Sequence, residues 1–390
     1  MVIIFKKGNK KDLKNYRMIC LLPNIYKVLT KILTKRLQKT QDENQPRTQA
    51  GFRSRDSTTD HIHVVNQLNE KCREYNIPLC IAFVDHEKAF DTMQTQAVLT
   101  SFQEQGIEYL HIELLEEFCN NSSMTVHLHK ESNKPNTGRG VRQGDTISPK
   151  LFTATLERIF RRLTWETRGL KIDGEYLSHL RFADDILICA IIQHELQQML
   201  QELAAESENQ GLKMNKSKTK VMMENDTPIY VINTQIENVD SYIYLGQRYS
   251  TRDKNQDEEI QRRITAGWTA FAKHRDIFKG NIGTCLKRQI YNSCVLPTMT
   301  HGAETWTLTT QAKNKLPAAQ TKMERNMFNI TYWDKKTSGG CDVNIVASSS
   351  ENRRELNHQR TPRQTLLFRG VFSSDDRGGQ SSFQYDTRRV

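Results

Sequence analysis

The stretch Leu79-Cys80-Ile81-Ala82-Phe83-Val84 is a short apolar run that stops on Asp85. A run of this length bounded by polar residues reads as a buried strand. Much further on, Leu180-Arg181-Phe182-Ala183 and Ile186-Leu187-Ile188-Cys189 are strand-like and frame Asp184-Asp185, which predicts a β-hairpin with two acids at its tip. A sheet must therefore present acids at its strand ends, and Asp85 and Asp184 on neighbouring strands would share one site. Carboxylates packed together repel until a cation neutralises them, and hard oxygen ligands suit Mg²⁺ or Mn²⁺. Two such ions, roughly 3.5–4 Å apart, stabilise both the attacking and the leaving oxygen of an in-line phosphoryl transfer.

Helical spacing surrounds these strands. Ile62, Val65, Leu68, Cys72 and Tyr75 recur at threes and fours over 58–76, behind a Ser57-Thr58-Thr59 capping cluster. Residues 92–119 hold two helical stretches parted by Gly106, and residues 121–140 read as a hairpin with a strand at 124–129. Ser148-Pro149 opens a helix, with serine as cap and proline first, and Leu151, Phe152, Leu156, Ile159, Phe160 and Leu163 form its stripe. Another helix covers 194–210 and stops at Gly211, and Val239–Tyr249 carries a short strand pattern. From 255 to 330 the pattern is helical and basic, with breaks near Gly280, Gly283 and Pro297. The fold class expected is α+β followed by an all-α region.

Charge narrows the partners. Lysine and arginine outnumber aspartate and glutamate by 56 to 45, and the excess is concentrated. Residues 1–40 hold eleven basic side chains against Asp12 alone, and residues 248–288 hold ten against five acids. Two basic segments around a nearly neutral middle suit a polyanion such as nucleic acid. No apolar run approaches the roughly 20 residues needed to span a bilayer. Eight scattered cysteines form no C-x-x-C pair, which argues against a zinc ribbon or a secreted disulfide framework and fits a reduced intracellular compartment, nucleus or cytoplasm. The histidine pairs His61/His63 and His127/His129 lack cysteine or carboxylate partners and read as ordinary surface residues. All 28 lysines fall within 1–336, and 337–390 has arginine, serine and glycine instead. That end reads as a poorly ordered, divergent tail.

Seven blocks then occur in order. Lys6-Lys7-Gly8 with Asn15-Tyr16-Arg17 and Leu21-Leu22 comes first, followed by Gln49-Ala50-Gly51-Phe52-Arg53 and by Phe83-Val84-Asp85 to Phe90-Asp91. The stretch Gly140-Val141-Arg142-Gln143-Gly144-Asp145-Thr146-Ile147-Ser148-Pro149 precedes Phe182-Ala183-Asp184-Asp185. Gly211-Leu212-Lys213-Met214-Asn215 with Lys218-Thr219, and Tyr244-Leu245-Gly246, complete the series. Over about residues 3–336 the chain resembles the reverse transcriptase of non-LTR, LINE-like retrotransposons, most closely the RTE-like group.

The resemblance implies a right-hand polymerase fold with an antiparallel palm sheet: partial fingers at 1–78, palm at 79–249 with a connecting segment at 92–140, and a helical thumb-like region at 250–336. It implies two Mg²⁺ or Mn²⁺ ions on Asp85, Asp184 and Asp185, and Phe90 as a steric gate that excludes a ribose 2′-OH. Gln143 and Gly144 match the block beside the incoming nucleotide, where glycine permits close backbone approach. Arg53 and Arg17 match fingers residues for triphosphate or template, since arginine grips phosphate bidentately. Lys218 matches the lysine that protonates departing pyrophosphate, and Tyr244-Leu245-Gly246 the primer grip. Asp91 reads as a bracing acid. The implied reaction is transfer of a dNMP from a dNTP to a primer 3′-OH on an RNA template.

Departures from the family pattern are few near the acids. Met18 and Cys20 stand where the family usually has proline and serine, and His86 where an aromatic or small residue is common. The expected endonuclease, the upstream template-clasping extension and a Cys/His zinc knuckle are not found, so the chain reads as a truncated copy. The alternatives are an inactive relic with residual RNA binding, and an RNA-dependent RNA polymerase. Phe90 and the Phe-Ala-Asp-Asp order speak against the latter.

Overall fold

A computed structural model describes residues 2–6, 8–12, 15–54, 56–120, 126–128, 131–133, 139–225, 227–250, 255–306 and 310–330. The expected tail at 337–390 and most of the 121–140 segment lie outside the described residues. The described residues form two compact units, one within 1–61 and 67–239, the other within 62–66 and from 240 onward.

The first unit opens with an antiparallel pair, β1 (Val2–Phe5) and β2 (Tyr16–Ile19), followed by α1 (Asn24–Asn44) and α2 (Thr58–Glu74). Ser57 starts α2 as expected: its backbone N–H and its hydroxyl both donate to the Asp60 carboxylate, at 2.8 and 2.9 Å. Then come β3 (Cys80–Val84), the short α3 (Ala89–Thr92), α4 (Thr95–Glu104) and α5 (Tyr109–Asn120). The small strands β4 (Val126–Leu128) and β5 (Glu131–Asn133) pair antiparallel. Helix α6 (Ser148–Arg161), strands β6 (Leu170–Ile172), β7 (Glu175–Leu177), β8 (His179–Phe182) and β9 (Asp185–Ala190), and helix α7 (Gln193–Asn209) follow. Strands β10 (Lys220–Met222), β11 (Ile229–Val231) and β12 (Thr234–Asn238) end the unit.

Its main sheet has the order β11-β12-β10-β3-β9-β8, antiparallel except for the β10–β12 pair. Strand β3 is central and buried along its whole length, the two-sided burial that its unbroken apolar run demanded. One face carries Cys80, Ala82, Val84, Ile186, Ile188, Ala190 and Val221. It shares a single core cluster with Phe152, Leu156 and Ile159 of α6 and Leu196, Met199, Leu200 and Leu203 of α7. At about 1.5–3 kcal/mol for each large apolar side chain removed from water, this face is the main stabilising element of the unit.

Helix α6 differs from expectation at its start. Ile147 holds the cap position and Ser148 is the first helical residue. No side chain caps the helix; just before it, Asp145 Oδ1 accepts from the Ile147 N–H at 3.4 Å. The acids also sit one residue off the expected tip: Phe182 pairs with Asp185, so the turn is Ala183-Asp184 and Asp185 begins β9. His61 is buried on α2 rather than at the surface, with its ring edge-on to Phe182 at 6.1 Å; His63 is exposed as expected.

The second unit begins with a hairpin where one strand was expected. Strands β13 (Ser241–Tyr244) and β14 (Gln247–Ser250) flank Leu245-Gly246, both at positive φ (47° and 81°), the primed turn that matches strand twist. Helices α8 (Asn255–Lys273), α9 (Arg275–Lys279) and α10 (Thr284–Ile290) follow. A π-helical turn, Tyr291–Val295, runs on into α11 (Leu296–Met299), so Pro297 sits within a continuing helical path and does not break it; α12 (Thr310–Met327) follows. Phe271, Phe278, Tyr291, Val295, Met299, Met323 and Met327 form its core. From 62–66 the unit takes the Ile62 carbonyl, which accepts from the Tyr249 hydroxyl at 3.2 Å, and Asn66, whose amide donates to Thr305 O at 3.2 Å.

Candidate active site

Register brings the acids together. Strands β3 and β9 pair Val84 with Ile186, so the next step along each strand sets Asp85 opposite Asp185, with Asp184 on the adjoining turn. Loss of hydration, then the charges of Asp184 and Asp85, push the Asp185 carboxyl up to about 6. Loss of hydration also raises Asp184; Asp85 adds to the shift, while its backbone amide, Arg17 and Lys6 oppose it. Both side chains still reach solvent, so the site is crowded by protein and open at the same time.

One cation pairs with the acids and two more act on them through the field. Lys218 Nζ lies 3.2 Å from Asp85 Oδ2. The loop that carries it is fastened to the end of β3: Glu87 N–H donates to Lys213 O, and Asn215 N–H donates to Asp85 O, each at 2.8 Å. Asn215 Oδ1 then accepts from the Ser217 hydroxyl and the Lys218 N–H, which turns Lys218 toward the site. Arg17 on β2 and Lys6 just after β1 reach the same field. Partial loss of hydration, then repulsion from Arg17 and Lys218, lower the Lys6 ammonium, and Asp85 and Asp184 draw it back up. Lys6 stands in the first sequence block, but nothing in that block assigns it a role at the acids.

Phe90 stacks on Phe152 (4.7 Å, 20°) and meets Phe52 edge-on at 6.4 Å, so its ring is held from two sides. Asp91 accepts from Gln143 Nε2 at 3.2 Å, which makes it a brace for the glutamine. Gln143 O accepts from the Cys20 N–H at 2.8 Å. Gly144 sits at φ 105°, and a Cβ there would come to 2.9 Å from Cys20 O, so here the glycine admits the backbone just past β2. His86 turns into the core, its ring 3.3 Å from the Ser207 hydroxyl.

Arg53 and the Tyr244-Leu245-Gly246 block each have partners of their own. Arg53 donates to Pro46 O at 3.0 Å and pairs with Asp56 at 3.5 Å, so its guanidinium folds its own loop together. Tyr244-Leu245-Gly246 belongs to the second unit. There the Gly246 carbonyl accepts from both Arg262 and Arg263, and these two are tied to the fully buried Glu259.

The support beneath the acid turn was not foreseen. Ala183 is held at φ 57°, a left-handed conformation uncommon for a residue with a side chain. Buried Gln49 spans the gap: its Oε1 accepts from Ala183 N–H at 3.2 Å and Gly51 N–H at 2.9 Å. Gly51 lies so close that a Cβ would overlap the Ala183 backbone nitrogen. Arg181 N–H donates to Thr48 O (2.8 Å) and Ala50 N–H donates to Arg181 O (3.0 Å), a short parallel bridge that clamps 48–51 to β8. Only the unbroken Gln-Ala-Gly-Phe block could have signalled this cradle.

Carboxylates that raise one another's proton affinity, on a rigid sheet end, are a donor set suited to a hard divalent cation. As placed, with Lys218 on Asp85, the described residues form no group of three His, Cys, Asp or Glu side chains gathered around one point.

Residues 6–249 match the family model "Reverse transcriptase (RNA-dependent DNA polymerase)". The chain therefore belongs to the reverse transcriptase family and has its right-hand polymerase fold. It is similar to a transposon-derived protein of Caenorhabditis elegans, 32% identical over 174 residues, covering 43% of this chain and 62% of that one. It is also similar to the Pol polyprotein from the type-1 retrotransposable element R2 of Nasonia vitripennis, 27% identical over 219 residues, covering 52% of this chain and 21% of that one. Among solved structures, telomerase from Candida albicans in complex with a fragment of telomeric RNA superposes with a TM-score of 0.47 at 13% identity, over 79% of this chain and 57% of that one. The chain spans less than two thirds of the length of these relatives. No helix among the described residues is long and apolar enough to cross a membrane.

Proposed function

We propose that this chain is an RNA-directed DNA polymerase that adds a dNMP to a primer 3′-OH opposite an RNA template. One observation carries the reading: strand register sets Asp85 opposite Asp185 at the end of a central sheet with Asp184 on the adjoining turn, Lys218 pairs with Asp85, and Lys6 and Arg17 act on the same carboxylates. In this reading 1–78 are fingers, 79–249 palm and 250–336 thumb, and the protein works in the nucleus or cytoplasm.

Asp85, Asp184 and Asp185 would hold two Mg²⁺ or Mn²⁺ ions, which when bound neutralise charge at the attacking and leaving oxygens. The chain's own residues do the remaining work. Lys6 and Arg17 bind the triphosphate and lower the cost of bringing its charge to an acidic site. Phe90, unable to retreat between Phe152 and Phe52, lies under the sugar and rejects a 2′-OH by overlap. Gln143, aimed by Asp91, and the Gly144 backbone lie along the nucleotide. Lys218, beside Asp85, would give its proton to a pyrophosphate oxygen as the leaving group departs. Tyr244–Gly246 holds the primer strand, and the basic α8–α10 region follows the template–primer backbone.

The test is primer extension on poly(rA)/oligo(dT) with dTTP and Mg²⁺ or Mn²⁺, comparing wild type with Asp184→Ala. Extension by wild type alone is expected. Extension by both would remove the acids from the reaction, and extension by neither, from folded protein, would favour a relic that only binds RNA.

A further inference from the structure

Tyr26 on α1 points at the loop that carries Gln143 and Gly144, and its hydroxyl is used in both directions. It accepts from Arg142 Nη1 at 2.7 Å and donates to Asp145 Oδ2 at 2.9 Å. The Arg142 guanidinium lies over the Tyr26 ring, 5.2 Å from its centre, and its Nη2 donates to Phe118 O at 2.7 Å. The Phe118 ring meets Tyr26 edge-on at 5.5 Å. One turn further along α1, the buried Thr30 hydroxyl lies 2.8 Å from that of Thr146. Loss of hydration, then the neighbouring Asp145 charge, hold the phenol well above its ordinary value, so it keeps its proton.

Those partners bracket a turn. Asp145 N–H donates to Arg142 O at 3.2 Å, which closes residues 142–145 with Gln143 and Gly144 as the two inner positions. Asp145 is buried, and its second oxygen takes the Ile147 N–H at the head of α6. Both ends of the turn are thus tied to one phenol oxygen. Its tip is tied on the other side to Cys20.

We propose that Tyr26 is a positioning residue for the nucleotide site: through Arg142 and Asp145 it fixes the turn that presents Gln143 and Gly144. This rests on the reading of those two residues as nucleotide contacts. Tyr26→Phe keeps the ring packing against Phe118 and removes only the oxygen. It leaves a buried carboxylate oxygen and an arginine N–H without their partner, and the turn loses its clamp.

Two measurements on the full chain test this. In hydrogen–deuterium exchange, the Asp145 and Ile147 amides of Tyr26→Phe should exchange at least ~10-fold faster than in wild type, with α7 and β9 unchanged. In primer extension, KM for dTTP should rise about 3- to 10-fold, the size of one lost hydrogen bond, with KM for primer–template unchanged. Asp145→Asn, which weakens the other end of the same link, should shift both readouts the same way. Unchanged exchange in Tyr26→Phe would overturn the proposal, as would a parallel rise in both KM values. If wild type makes no DNA, the reading of Gln143 fails, and the exchange result still decides whether Tyr26 holds the turn.

Discussion

His61 and Asp185 titrate in opposite senses. Burial, then Arg181, hold the His61 ring down to about 4, and neither of its nitrogens has a hydrogen-bond partner among the described residues. A base with a depressed folded pKa favours the neutral form, so its contribution to stability is complete above about 6.5 and is lost as pH falls through about 4. His86, also held near 4 chiefly by burial, acts in the same direction. The melting temperature should fall between pH 6.5 and 4, and His61→Phe should flatten part of that fall; equal slopes would discharge His61 from it. Asp185, raised to about 6, favours the protonated form, so its contribution is present below about 3.8 and lost as pH rises through 6. Asp185→Asn should therefore raise the melting temperature at pH 7.5 and lose that gain by pH 4, as scanning calorimetry in metal-free buffer can show. Phe90→Ala should admit rNTPs, and unchanged sugar selectivity in competition assays would end its role as a gate.

At the scale of the element, α6 shows how a helix can be almost wholly buried and still carry charges. Glu157 accepts from Arg181 Nη2 at 2.7 Å and from Arg161 Nε at 2.9 Å, and the Arg181 guanidinium lies 4.2 Å from the centre of the Phe160 ring. Arg181 sits on β8, two residues from Ala183, so this pair joins α6 to the strand that enters the acid turn. Glu157→Ala should cost about 3–5 kcal/mol in denaturant unfolding, because it strands a buried guanidinium; a loss under 1 kcal/mol would show the pair to be dispensable. Gly51→Ala should abolish extension while leaving α6 protected from exchange, since its Cβ would push against the Phe182–Ala183 backbone. These elements were unevenly legible. Helices α2, α6 and α7 and strands β3, β8 and β9 follow from apolar spacing, because each buries a regular stripe. Helix α1 does not, since Thr30 and Gln41 lie on its buried side while Ile25, Val28 and Ile32 face outward. The Gln49–Gly51 cradle and the Tyr26 clamp join residues more than a hundred positions apart through single hydrogen bonds, and no local period records them. The acids themselves were legible because strand register needs only two adjacent apolar runs.

For the whole molecule, the division at Val239 and Asp240 leaves Tyr244–Gly246 with the helical second unit, where the strand pattern alone would have run it on with the first. Basic surface is spread over both. Affinity for poly(rA)/oligo(dT) should therefore fall at least about 10-fold between 50 and 200 mM salt, with a log–log slope that changes little with template sequence; a flat salt response in a filter-binding titration would remove the backbone-tracking role. The make-up of the second unit also has a consequence in time. Ile62 and Asn66 hydrogen-bond to Tyr249 and Thr305, and the ribosome makes roughly 5–20 residues per second. The five residues 62–66 thus leave the exit tunnel about 10–35 s ahead of the first residues they are to join. During that interval the Ile62 carbonyl and the Asn66 amide lack these partners on a growing chain, the kind of incomplete surface that chaperones bind.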